Sequence, residues 1–217
     1  MPSHPAPSVE LVPTEAGDAR LTWYRRDRAP HGVLLLGHGA GGGIEAADLQ
    51  AIAAGVDAVA VVLVEQPWRV AGKRLAPAPK TLDAGWLPVV AHVREAVGES
   101  APLFVGGRSA GARVACRTGA ATGAAGVVAL AFPLHPPGKP ERSRADELLG
   151  TGLPTLVVQA ARDPFGAPEE FPPLPEKTHR LVGLSAGNHG FAVRKTETDV
   201  VPDVVAAVAD WLQGRIR

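Results

Sequence analysis

Six apolar runs that do not alternate constrain this chain more than any other feature. Residues 32–37, 56–65, 102–106, 126–131, 155–160 and 180–184 keep an apolar character over successive positions. Neighbouring residues of a strand point to opposite faces, so a run of this kind reads as a strand covered on both sides, as in a parallel sheet. Helical spacing fills the gaps at 44–54, 82–97, 110–122 and about 200–212. In 82–97, Leu82, Trp86, Val89, Val90, Val93 and Val97 share a face, and Asp83 reads as a cap. In the last helix Val201, Val204, Val205, Val208, Trp211 and Leu212 line up behind Asp199 as N-cap, with Pro202 in the first turn. Strands alternating with helices predict an α/β fold, a mostly parallel doubly wound sheet with helices on both faces. Ahead of it, 9–12 and 21–25 suggest a hairpin of two short strands, behind a Pro/Ser-rich segment 1–8 expected to fray. The expected division is a flexible segment with the first short strand over 1–18 and one domain over 19–217, with no internal repeat.

Composition removes several classes of function. The chain has 217 residues, enough to bury a substantial core. With 22 basic and 22 acidic side chains, no global field recruits nucleic acid or an anionic membrane. The single cysteine, Cys116, excludes an internal disulfide framework and argues against a cysteine-based zinc site. It reads as a small buried thiol. No signal pattern or long apolar span stands in the sequence, so a cytoplasmic location is the expectation.

The strand ends carry the chemistry. Gly107-Arg108-Ser109-Ala110-Gly111 falls where the apolar run 102–106 gives way to the helical pattern from Ala110. A G-x-S-x-G at a strand-to-helix turn is a nucleophile elbow. The residues two before and two after the serine nearly touch in so tight a turn, which suits glycine. The pattern alone is weak, because a chain with 25 glycines yields roughly 0.08 matches by chance.

Context strengthens it. Gly37-His38-Gly39-Ala40-Gly41-Gly42-Gly43 follows the strand 33–36 and can supply a second oxyanion N–H from Ala40, beside that of Ala110. Asp163, after the strand 155–158, is either turn chemistry or the acid that orients a histidine. His189, in Ala186-Gly187-Asn188-His189-Gly190-Phe191, is either a loop histidine or the base. Ser109, Asp163 and His189 occur in the order Ser…Asp…His, each beyond a separate strand, as the α/β-hydrolase fold requires. Asp146 and Glu147 are fallback acids.

A rival reading uses the same glycines. Gly37, Gly39 and Gly42 satisfy G-x-G-x-x-G, and Glu65 stands where a ribose-binding acid would, which is a dinucleotide fingerprint in loop 37–42. Against it, extra strands precede the motif, and Ser109, Asp163 and His189 go unexplained. A Walker phosphate loop is excluded, since no Gly-Lys-Ser/Thr follows.

Four stretches together carry a resemblance to a known family. They are Leu36-Gly37-His38-Gly39-Ala40-Gly41, Gly106-Gly107-Arg108-Ser109-Ala110-Gly111, Pro133-Leu134-His135-Pro136-Pro137-Gly138-Lys139-Pro140 and Arg162-Asp163-Pro164-Phe165-Gly166. The chain resembles, from about residue 30 to 212, a family of small α/β-hydrolases related to dienelactone hydrolase and to the hydrolase-like domain of a nuclear acetyltransferase-complex subunit. The resemblance implies an α/β-hydrolase fold, a serine nucleophile at Ser109, an acid at Asp163 and a base at His189. It implies no substrate, because the family is named largely by its fold. Relatives that look like scaffolds keep a non-catalytic binding module open as the alternative.

The expected function is therefore serine hydrolysis of a small carboxylic ester, thioester or lactone, needing no cofactor and no metal. The expected partner is a small acyl substrate rather than nucleic acid or membrane, and the oligomeric state is left open. Trp68, Arg69, Arg108 and His135 are candidates to contact that substrate. Trp68 and Arg69 belong to a proline-rich stretch, 67–81, expected to be a long loop that either meets the substrate or is simply solvated, and His135 to a loop that either lines the pocket mouth or is an ordinary rigid connection. No insertion between strands has room for a large lid domain.

Overall fold

A computed structural model describes residues 6–24 and 31–216. Eight strands form one sheet in the order β1-β2-β4-β3-β5-β6-β7-β8. They are β1 (Ser8–Thr14), β2 (Gly17–Tyr24), β3 (Val33–Gly37), β4 (Ala60–Glu65), β5 (Leu103–Arg108), β6 (Gly126–Leu130), β7 (Thr155–Gln159) and β8 (His179–Gly183). The strands from β4 to β8 pair in parallel. The leading hairpin adds the antiparallel pairs β1–β2 and β2–β4 at one edge. The expected hairpin is thus present, though its last residue, Arg25, lies outside the described residues, and β2 straddles the boundary drawn at 18/19.

Unbroken burial follows from helices on both faces. On one side α3 (Pro79–Val97) and α4 (Ala110–Thr118) cover Leu35, Val62, Val64, Val105 and Val127. On the other, α1 (Ala47–Gly55) and α6 (Val201–Gln213) cover Leu34, Leu36, Val61, Leu63 and Phe104. Consecutive residues of β3 therefore enter different cores, which is why its sequence could not alternate. A short helix α2 (Pro67–Val70) follows β4, and α5 (Ala145–Leu149) precedes β7.

Several expected boundaries move. The stretch 67–81 is not a long loop, because Pro67 begins α2 and Pro79 begins α3. Proline suits a first helical turn, where its missing N–H would have no partner. Asp83 does not cap α3. It lies inside the helix and accepts Arg117 Nη2 at 2.6 Å. The strand expected from residue 56 starts at Ala60, since Val56 closes α1. The helix expected over 110–122 is α4 followed by a 3₁₀ turn, Ala120–Thr122. The N-cap of α6 is Val200 rather than Asp199, which stands one residue earlier and accepts the Val201 N–H at 3.0 Å.

The topology decides where a ligand can sit. After β3 the chain goes to β4 on one side, then returns to β5 on the other. At such a reversal the connections leave in opposite directions and open a crevice at the C-terminal strand ends. Gly37 ends β3 at that crevice, and Ser109 follows β5.

Candidate active site

Ser109 stands alone between β5 and α4, with φ 53° and ψ −108°. A side-chain-bearing residue in that region costs about 1–3 kcal/mol and persists there only where its surroundings impose it. Here they do. Its N–H donates to the Leu130 carbonyl at 2.9 Å, and the Gly111 N–H donates to the His38 carbonyl at 3.1 Å. The end of β3 then packs against the turn so closely that side chains are excluded. A Cβ on Gly111 would stand 2.5 Å from the Gly37 oxygen, and one on Gly107 would be 3.0 Å from the Gly111 Cα and closer still to the Gly37 oxygen. The expected contact across the elbow is present, with the backbone of β3 as a further constraint.

Two loops bring the partners. Ser109 Oγ–H donates to His189 Nε2 at 2.8 Å, and His189 Nδ1–H donates to Asp163 Oδ2 at 2.7 Å. The Asp163 side chain is fully buried, yet each oxygen is satisfied. Oδ1 accepts the Phe165 N–H at 2.8 Å, and Oδ2 also accepts Gln159 Nε2 at 2.9 Å. The Phe165 ring lies 4.3 Å from the imidazole, and Arg108 Nη2 donates to the His189 carbonyl at 3.2 Å. A hydroxyl, an imidazole and a buried carboxylate in series can move a proton off the hydroxyl and stabilise the resulting imidazolium.

The glycine-rich loop is held from beneath by His38. Its Nε2 accepts the Gln66 N–H at 3.0 Å, so Nδ1 carries the hydrogen and donates to the Gly39 carbonyl at 2.8 Å. Burial pulls the His38 pKa below its ordinary value and favours this neutral form. Among the described residues no acceptor engages the N–H of Ala40 or Ala110. Both alanines line the cavity beside Ser109, and Ala110 opens α4, where the helix dipole favours negative charge. The pair can serve a developing oxyanion.

The cavity has a volume of about 410 Å³ and is lined by the glycine-rich loop, the elbow, His189, Phe165, Pro133 and the arginines 108, 113 and 144. Of the expected substrate contacts, Arg108 lines it and the others do not. Trp68 is buried beneath the loop, its ring 5.4 Å from that of His38. Arg69 reaches outward to Glu45 at 3.4 Å. His135 is buried against Glu170 at 3.0 Å. None of these three side chains lines the cavity.

The fallback acids and the rival reading lose their geometry as well. Glu147 is taken by Arg113 and Arg117, and Asp146 is exposed. Glu65 is paired with Arg20 at 2.6 Å. The loop 37–42 does not open directly onto a helix, since α1 begins only at Ala47, and a Cβ on Gly39 would meet Ser109 Cβ at 3.4 Å. Cys116 is buried in α4, and burial pushes its thiol pKa up. Among the described residues no group of three or more His, Cys, Asp or Glu could hold a metal ion, and no helix is long and apolar enough to cross a membrane.

Sequence reasoning missed Gln159, Asp48 and Arg144. Gln159 ends an apolar strand as a lone amide, buried and bonded to Asp163, which is a readable signal. Asp48 and Arg144 gave none, because each meets the site only through the fold. Asp48 lies 3.6 Å from Arg108, with its carboxyl pKa raised by burial.

Comparison with known proteins agrees with this architecture. A family model described as an alpha/beta hydrolase domain matches residues 30–216. Among solved structures, dienelactone hydrolase from Anabaena variabilis superposes with a TM-score of 0.75 at 16% identity, over 99% of this chain and 100% of its own. A serine hydrolase without lid from Xanthomonas campestris gives 0.73 at 17% identity, over 100% and 98%. An esterase from Pyrobaculum calidifontis gives 0.69 at 17%, over 97% and 86%. At these identities the likeness is one of fold, and like the Xanthomonas protein this chain carries no large lid domain among the described residues.

Proposed function

The chain belongs to the alpha/beta hydrolase domain family, and from that premise we propose that it is a serine hydrolase acting on a small carboxylic ester, thioester or lactone. One observation carries the reading: the unbroken series Ser109 Oγ–His189 Nε2–His189 Nδ1–Asp163 Oδ2, at 2.8 and 2.7 Å, opening into a cavity.

In this mechanism His189 Nε2 takes the Ser109 proton as Oγ adds to the substrate carbonyl carbon. The carbonyl π electrons move to oxygen, and the Ala40 and Ala110 N–H groups hold the resulting oxyanion. When the tetrahedral intermediate collapses, the bond to the leaving group breaks and that group takes the proton from His189. Water repeats the sequence on the acyl-serine, giving up its proton to His189, and Oγ leaves with that proton. Asp163 keeps the imidazole in the Nδ1–H tautomer and stabilises its charged form without taking a proton itself.

A fluorophosphonate probe tests this directly. Wild type is expected to be labelled at Ser109 and to turn over a short p-nitrophenyl ester. Ser109→Ala is expected to lose labelling and to lower kcat on the order of 10⁶-fold. Labelling that persists in Ser109→Ala would sink the assignment, and a wild type inert to both reagents would favour the non-catalytic binding module.

A further inference from the structure

Resting on the reading of Ser109 as nucleophile, we propose that the substrate carries an anionic oxygen group, a carboxylate or a phosphate, and that Arg144 binds it.

The cavity wall is unbalanced in charge. Three arginines line it, 108, 113 and 144, and among the described residues no aspartate or glutamate does. Arg108 donates to the His189 carbonyl and faces Asp48 at 3.6 Å. Arg113 is engaged by Glu147 through Nε at 2.8 Å and Nη2 at 2.5 Å. Glu147 also takes Arg117 at 3.2 Å, whose second partner is Asp83 at 2.6 Å.

With those pairs assigned, Arg144 is left over. Among the described residues no carboxylate lies within 4.0 Å of its guanidinium. Its position is nevertheless fixed. Nη1 donates to the Pro133 carbonyl at 2.9 Å, and its own N–H donates to the Leu134 carbonyl at 2.7 Å. Nε and Nη2 have no acceptor among the described residues. Burial, and then the charge of Arg113, pull the Arg144 pKa below its ordinary value, against the opposing charge of Glu147, which pairs with Arg113 and Arg117 instead. A guanidinium anchored at one nitrogen, with two donors free, is a fork that fits two oxygens of a carboxylate or phosphate. The apolar Phe165 and Pro133 also line the cavity and offer an anion no competing site.

The test compares matched esters in wild type. On the acyl side, p-nitrophenyl hemiglutarate and p-nitrophenyl 4-phosphonobutyrate are set against p-nitrophenyl butyrate. On the leaving-group side, 4-carboxyphenyl butyrate is set against phenyl butyrate. In at least one arm the anionic ester is expected to have a kcat/KM on the order of tenfold to hundredfold higher, shrinking as salt rises. The carboxylate and phosphonate arms separate the two sources of the charge.

Arg144→Met is expected to collapse that anionic-to-neutral ratio, and Arg144→Lys to retain part of it. Equal rates for charged and neutral esters in both arms overturn the proposal and leave the Ser109 reading intact. A preference that survives in Arg144→Met also overturns it. A second measurement needs no turnover: calorimetric binding of glutarate and inorganic phosphate to Ser109→Ala, with and without Arg144→Met. Binding that depends on Arg144 supports the anion site even where every ester proves inert, and fluorophosphonate labelling of wild type then decides the Ser109 reading separately; binding unchanged in Arg144→Met, or absent, overturns the anion site.

Discussion

Ser109 and His189 face each other across one hydrogen bond, yet the two sides of that bond are made differently. On the β3–β5 side the structure is held by the exclusion of side chains. Gly37, Gly107 and Gly111 bring three stretches of backbone together, and the strained serine is the residue left standing between them. On the β7–β8 side the structure is held by side chains bonding one another. Gln159 and the Phe165 N–H grip Asp163, Asp163 grips His189, and Arg108 reaches across from β5 to hold the His189 carbonyl. A nucleophile must be presented rigidly at one point, which steric fit achieves. A base must hold one tautomer and accept a charge, which only polar partners can arrange.

Substitutions on each side should therefore fail in different ways. After the loss of Ser109 itself, the largest effect is expected from Asp163→Asn, which removes the charge while keeping an oxygen for the Phe165 N–H. It should lower kcat by about 10⁴-fold, measured on a p-nitrophenyl ester, with a smaller loss of thermal stability than the glycine change below. Gly111→Ala comes next. Its Cβ would sit 2.5 Å from the Gly37 oxygen, and overpacking against backbone costs about 1–3 kcal/mol. In a chain this long that lowers Tm by roughly 2–4 °C per kcal/mol, and labelling of Ser109 should fall with it. If Asp163→Asn destabilised the fold more than Gly111→Ala, the division between steric and polar construction would be wrong.

The smallest expected effect belongs to His38, a polar device on the steric side. Burial lowers its folded pKa below the ordinary 6.5, so the unfolded chain takes up this proton first. Its contribution is fully present above about pH 6.5 and is lost as pH falls from there toward the folded pKa. His38→Gln cannot titrate but can still accept the Gln66 N–H. Thermal melts from pH 7.5 down to about 5 should fall more steeply in wild type than in His38→Gln. Parallel slopes would show that this histidine does not couple the loop to pH.

The parts of the molecule that were readable in advance depend on local pattern. The β3 run reveals two-sided burial by itself, and Ser109, Asp163 and His189 each follow a strand whose end is visible in sequence. What escaped depends on direction. Trp68 and Arg69 follow β4 at the edge of the crevice, but α2 turns one ring under the loop and the other side chain outward. Prolines 67 and 79 looked like loop residues because a first-turn proline and a loop proline are spelled alike. Arg144 became informative only once its neighbours had been paired off, a comparison that requires coordinates.

The strand order has a further consequence for how the site comes apart. Ser109 hangs from β5, which is bonded to a strand on each side, whereas His189 follows β8, an outer strand bonded to β7 alone. Backbone amides at such a rim open to exchange at lower free energy than those at the centre of a sheet. In the proposed mechanism, an opening that carried His189 away would leave the serine in place without its proton acceptor. Activity is then expected to fade at lower denaturant than the global unfolding transition, as read by turnover and far-ultraviolet circular dichroism on the same samples.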